Sequence, residues 1–225
     1  MKLTIVAATG GIGRHLLEQA VAAGHDVTAV VRNPANLTER GGRVRVVVAD
    51  LAAPDPDALA SAVDGRDAVL SGLGPRRPRA EAGITSRGTR ALVAAMRTTG
   101  VRRLVVVSAA PIGTVPSPGR PNPPRHDPGD GFLMRHLGSR IARVAFSAHY
   151  ADLALMEDLV RDSGLDWTIS RPPRLTDKPL TGVYRTAYEQ NLRGGSRVSR
   201  ADVAHHMLRV LEQPGTAGRT IGIAD

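Results

Sequence analysis

The chain has 225 residues and no cysteine. That excludes a disulfide framework, a thiol nucleophile and a thiolate metal site, and it fits a cytoplasmic setting. Aromatic residues make up 3%, with two Phe, one Trp and three Tyr. This is a poor platform for stacking single-stranded nucleic acid, and it leaves the core to Val, Leu, Ile and Ala. Among 30 Lys and Arg residues, only Lys2 and Lys178 are lysines. The formal net charge is +9, but the arginines are spread along the chain, with one dense patch at Arg76-Arg77-Pro78-Arg79. Without a clustered basic face, the charge argues for attraction to anionic cofactors rather than for nucleic-acid binding. No window approaches the ~18 consecutive apolar residues of a membrane span. The start of the chain lacks the ordered charged, apolar and small-residue regions of a signal peptide, because Lys2 to Val6 already reads as a strand.

Candidate metal and hydrolase groups also fail. His205 and His206 are adjacent, so on a helix they point in different directions. His126-Asp127 has no serine at a nucleophile elbow, and Asp55 and Asp57 sit where a helix start would use them against its dipole. The reading is of no metal.

What the chain does contain is a regular alternation. Apolar runs at 3–7, 27–31, 44–48, 67–71 and 103–107 are rich in valine without strict two-residue alternation, as expected of buried parallel strands. Helical patterns at 13–23, 55–63 and about 82–98 fill the gaps, the last ended by Gly100. Later segments read as a helix from Phe132 to Phe146, a helix from Tyr150 to Arg161, a strand over Trp167–Ser170, a helix from Arg200 to Leu211 capped by Ser199, and a last strand from Arg219 to Ile223. The expected fold is α/β: one Rossmann-like domain over 1–225, a doubly wound parallel sheet with a small C-terminal substrate-side region at about 171–199. Seven prolines between Pro111 and Pro128 rule out a helix or inner strand there. A loop over 111–130, following the fifth strand, is expected to overhang the ligand crevice.

The chemistry starts at the first strand, which runs into Ala8-Thr9-Gly10-Gly11-Ile12-Gly13 and then a helix. A strand, glycine-rich turn and helix aim unpaired N–H groups and a positive dipole end at phosphate. Gly10 permits close backbone approach, Gly13 permits close helix–sheet packing, and Ala7 stands where a first glycine is expected. A pyrophosphate site of a dinucleotide-binding fold follows. The second strand ends in Val31-Arg32-Asn33, with no carboxylate to accept from ribose hydroxyls. Arg32 offers a planar donor fork suited to a 2′-phosphate, so NADP(H) is expected over NAD(H). Asp50 and Leu51 at the end of the third strand are placed for adenine. Leu73-Gly74-Pro75-Arg76 after the fourth strand would run along the pyrophosphate and nicotinamide ribose.

Taken together, these residues resemble the atypical short-chain dehydrogenase/reductases, in the branch of NmrA-like and biliverdin reductase B (flavin reductase)-like NAD(P)H-binding proteins. The later stretches Ser163-Gly164-Leu165, Arg171-Pro172-Pro173-Arg174, Leu180-Thr181-Gly182-Val183-Tyr184 and Ser199-Arg200-Ala201-Asp202 share in the resemblance. It implies NADPH in a crevice with a flat conjugated acceptor stacked on its nicotinamide. Val107, Ser108 and Pro172 would flank the cofactor, and Ala109, Pro173 and Arg174 would touch the substrate. Ser108 and Tyr150 are the candidate catalytic residues.

The sequence departs from that family where acid–base chemistry is expected. Ala154 stands where a Tyr-Lys relay beginning at Tyr150 would need its lysine, Ala109 where flavin reductases place a serine, and Arg174 where they place a histidine. Hydride transfer to a flavin, quinone or similar small acceptor needs little such help. A non-catalytic NADP(H) sensor of the NmrA-like kind is the alternative, and oligomeric state stays open between monomer and dimer.

Overall fold

Valine-rich runs become the centre of one sheet. In the computed structural model, residues 1–37, 42, 44–75, 81–129 and 147–225 are described. The strands are β1 (Lys2–Val6), β2 (Asp26–Val31), β3 (Val44–Val48), β4 (Ala68–Ser71), β5 (Arg103–Val107), β6 (Asp166–Arg171), β7 (Arg174–Thr176), β8 (Arg185–Tyr188), β9 (Arg197–Ser199) and β10 (Arg219–Ala224). Among the described residues, eight of them form a sheet in the order β3-β2-β1-β4-β5-β6-β10-β8, parallel except for β8, which pairs antiparallel with β10. β7 and β9 pair parallel in a separate two-stranded ribbon. This confirms the α/β, mostly parallel, doubly wound expectation.

The helices are α1 (Gly11–Ala22), α2 (Pro56–Val63), α3 (Ile84–Thr99), α4 (Ser147–Arg161) and α5 (Arg200–Arg209). One face of the sheet is covered by α2, α3 and α4, where Leu59, Leu92, Met96 and Met156 pack with Val69, Leu104 and Ile169. The other is covered by α1 and α5, where Leu16, Leu17 and Met207 pack with Leu3, Ile5 and Leu70. Successive strand residues point to opposite faces, and both faces are covered; hence the inner strands are apolar at nearly every position. β3 is an edge strand, and Val46 and Val48 remain exposed there.

Two buried carboxylates fix how the helices sit. Asp152 of α4 accepts from the Thr85 and Ser86 backbone N–H groups, each at 3.0 Å, and so caps α3 from a neighbouring helix. Asp202 in the first turn of α5 accepts from the Ser199 hydroxyl (2.7 Å) and from the Thr181 and Gly182 N–H groups (2.9 and 2.8 Å). Burial opposes its ionisation, yet these hydrogen bonds hold its carboxyl below the ordinary value.

The remaining differences from expectation are local. α4 starts at Ser147, ahead of the expected Tyr150. α5 ends at Arg209, and its last turn tightens to a 3₁₀ turn over Val210–Glu212. β7, β8 and β9, three to four residues long, fall in the 171–199 substrate-side region, for which no strands were assigned from sequence. The expected helix over 132–146 and Arg76 with its basic patch lie outside the described residues.

Candidate active-site crevice

β1 pairs with both β2 and β4, so chain order reverses across it, and a crevice opens beyond the carboxyl ends of these strands. It measures about 520 Å³, within the range of small-molecule sites. Its middle is the glycine turn, with Thr9, Gly10, Gly11 and Ile12 in the wall. Gly10 is the N-cap of α1, makes no side-chain cap hydrogen bond, and is followed by no acidic residue in the first turn. The positive end of α1 is therefore available to an anion.

The glycines have steric reasons. A Cβ on Gly13 would stand 2.0 Å from the Ala7 carbonyl oxygen, and one on Gly11 would stand 2.9 Å from Arg200 Nε. Ala7 itself adopts φ 59°, the left-handed conformation that favours glycine, at the position where a glycine was expected. Ala8 and Gly13 are buried beneath the turn and shape it without lining the crevice. Arg200, in the first turn of α5, lies over Gly11 and donates to Asp177 at 2.8 Å. It adds a second positive group to the turn; the Ser199–Asp202 stretch shares in the family resemblance, but nothing in the sequence places Arg200 at the glycine turn.

Beyond β2 and β3 the wall contains Arg32, Asn33, Asn36, Asp50, Leu51 and Glu81. Arg32 Nη1 donates to Glu81 Oε1 at 3.0 Å, so a carboxylate does stand at this end, contributed from just ahead of α3 rather than from β2. Asp50 accepts from the Ala52 N–H at 3.0 Å in a local turn. Leu73 and Gly74 line the stretch after β4. This combination of bare helix terminus, glycine cradle, two arginines and a polar far end fits a dinucleotide.

The opposite end is formed by Val107, Ser108, Ala109, Pro172 and Pro173, as anticipated, together with His149, Leu153 and Leu175, which were not. The Ala110 N–H donates to the Pro172 carbonyl at 2.8 Å, tying the two rims together. Ser108 Oγ donates to Glu157 Oε1 at 2.6 Å, so its single proton is committed and it presents only lone pairs elsewhere. Glu157 is 0% exposed and also accepts from Arg171 through both oxygens and from Arg161 (2.7 Å). Burial opposes its charge, but Arg171, Arg161 and Ser108 together hold its carboxyl below the ordinary value.

Three expectations need correcting. Tyr150, in α4, packs against the core instead of lining the crevice, and burial pushes its hydroxyl above the ordinary value. The crevice-facing residues of that helix are His149 and Leu153, one turn apart, so the helix is rotated by one position from the expected facing. Arg174 is exposed on β7 and does not line the crevice. Among the described residues, none of 111–129 lines it either. Several of them, Arg120 among them, border a second cavity of about 280 Å³ with Asp158 and Arg171, because Asp158 accepts from Ser117 Oγ (2.9 Å) and the Gly119 N–H (2.8 Å) and draws the loop onto α4.

A model of an NAD(P)H-binding family matches residues 7–214. A UPF0659 protein of Schizosaccharomyces pombe, C216.03, is 31% identical over 192 residues, covering 80% of this chain and 74% of its own. The structure of SP1627 from Streptococcus pneumoniae, described as a putative NADH-flavin reductase, is 27% identical, with a TM-score of 0.72 over 100% of this chain and 99% of that one. A short-chain dehydrogenase/reductase from Veillonella parvula, solved with NADP, shares the fold at 18% identity and a TM-score of 0.77, covering 100% and 94%.

Proposed function

The chain belongs to the NAD(P)H-binding family, and we propose that it is an NADPH-dependent reductase delivering hydride to a flavin, quinone or similar conjugated acceptor. The resemblance to atypical short-chain dehydrogenase/reductases is borne out by that match, and an oxidoreductase is the kind of protein found among its structural relatives. Arg32 supports the phosphate-bearing cofactor. It stands in the crevice wall at the end of β2, and although Glu81 already pairs with it, the guanidinium is half exposed to solvent, which screens the pair. A 2′-phosphate carries more charge than that carboxylate and can draw the guanidinium to itself.

The observation that carries the reaction type is the absence of an ammonium from the crevice. Lys2 and Lys178, the chain's two lysines, are both exposed, and neither lines it. No lysine can therefore lower the pKa of a hydroxyl there, and alcohol oxidation through a Tyr-Lys relay has no support. When bound, the dihydronicotinamide supplies a hydride, and the chain's part is to orient it and exclude water. Gly10, Gly11 and the α1 terminus would hold the pyrophosphate, Arg200 would add charge to it, and Ala109, Leu153 and Pro172 would wall the acceptor site.

NADPH absorbance decay in the presence of FMN or a quinone, with NADH run in parallel, tests this reading. Catalysed decay that favours NADPH is expected. A protein that binds NADPH, as seen by its fluorescence, but does not oxidise it whichever acceptor is supplied would instead be a cofactor sensor. The missing relay is the feature that favours that second reading.

A further inference from the structure

At the Ser108–Pro172 end, the crevice offers an acceptor hardly any hydrogen-bond donors. Ala109, Leu153, Pro172, Pro173 and Leu175 are apolar, and the Ser108 proton is already given to Glu157. Among the described residues, His149 is the one side chain at this end with an N–H to give. Its Nδ1 is buried without a hydrogen-bond partner, which leaves Nε2 as the ring nitrogen that an acceptor in the crevice can reach. The chain's other histidines on α5 differ: His205 Nδ1 meets Tyr184 Oη at 2.9 Å and His206 Nδ1 meets Ser170 Oγ at 3.3 Å. The first turn of α4 is held in place three residues on, where Asp152 caps α3. Burial lowers the His149 imidazole below its ordinary value, with Asp152 partly opposing, so at neutral pH it is a neutral donor and acceptor.

We propose that His149 is a catalytic residue whose imidazole N–H hydrogen-bonds the carbonyl oxygen of a conjugated ketone acceptor, a quinone or an enone. The proposal rests on the reductase reading and narrows it. Hydride arriving at the conjugated carbon forms a C–H bond there and displaces a π pair onto the carbonyl oxygen. That oxygen accepts from His149 as its charge develops, and a solvent proton completes the two-electron reduction. An isoalloxazine spreads the same charge over its own ring and depends less on a single donor. The acceptor class therefore follows from the one donor present.

The test compares wild type with His149→Phe, which keeps a ring but removes the donor, and His149→Gln, which keeps an N–H. Menadione and FMN serve as acceptors. Binding of 4-nitrophenolate, an oxyanion mimic read by its own absorbance, is measured on the NADP⁺-bound protein without turnover. In His149→Phe, menadione turnover should fall about 100-fold, as when one oxyanion donor is removed. FMN reduction should stay within about threefold, NADPH affinity should be unchanged, and 4-nitrophenolate should bind at least about tenfold more weakly. His149→Gln should recover part of each loss. Equal effects on both acceptors, or unchanged 4-nitrophenolate binding, would overturn the proposal. Wild-type reduction of FMN but not menadione would overturn it too, while leaving the reductase reading standing. Reduction of neither acceptor by NADPH-bound protein would remove both.

Discussion

Arg32 Nη1 and Glu81 Oε1 meet at 3.0 Å across 49 positions of sequence, setting a cation and a carboxylate side by side at one end of the crevice. One group suits a 2′-phosphate and the other a ribose hydroxyl, so under the proposed function their balance would govern cofactor choice. Arg32→Ala should weaken NADPH binding about 10- to 100-fold, the range of a lost charge-assisted contact, and NADH binding far less. Glu81→Gln should shift preference further toward NADPH. Fluorescence titration of both cofactors decides it, and equal losses for NADPH and NADH in Arg32→Ala would sink the assignment.

The glycine turn makes two opposite forecasts six residues apart. Gly13→Ala would force a methyl group to within 2.0 Å of the Ala7 carbonyl oxygen. Backbone must move, with an expected loss of about 2–3 kcal/mol and of cofactor binding. Ala7→Gly places glycine at a φ of 59° and should gain up to about 1 kcal/mol, since relief of the left-handed strain outweighs the looser unfolded chain. Thermal melts of both variants check the pair; destabilisation by Ala7→Gly would contradict it.

Glu157 neutralises Arg171 and Arg161 inside the protein. Glu157→Gln should cost about 3–5 kcal/mol, because it leaves guanidinium groups without their counter-charge. The wild-type contribution is present above the ordinary glutamate value and is lost as pH falls below it, because the folded-state value is the lower one. Denaturant unfolding of wild type at pH 7 and pH 3 should therefore differ more than that of the variant.

His206 is 4% exposed, and its imidazole is pushed down to about 4 by burial, with His205 and Arg209 adding to the effect. The unfolded chain binds protons more readily between the ordinary value of 6.5 and about 4. Stability should therefore be complete above that window and decline as pH falls through it, by up to about 1.4 kcal/mol per pH unit from this group. His25 and His149, also lowered, act in the same direction. His206→Gln should flatten the slope in part, as measured by urea midpoints from pH 7 to 4.5. An unchanged slope would mean that His206 is already charged in the folded state.

The parts of this protein written in local sequence could be read there. Val-rich strands buried on two faces, the helix ends at Gly100 and Ser199, and the strand–glycine–helix turn each depend on neighbours within a few positions. β7, β8 and β9 could not be read, since three or four residues with exposed arginines and threonines carry no periodic signal. The facing of α4 was misread by one position, because Tyr150 and His149 differ only in what Asp152 makes the helix pack against. Glu81 beside Arg32, and Glu157 beside Ser108, are joined across 49 residues by the fold alone.

The scarcity of lysine has a practical consequence. Both ammonium side chains are on the exterior and outside the crevice, so an amine-reactive dye or surface linker attached at Lys2 or Lys178 leaves the crevice unblocked. The protein can thus be immobilised or labelled without first engineering a handle, and the proposed NADPH oxidation can be assayed on the tethered molecule.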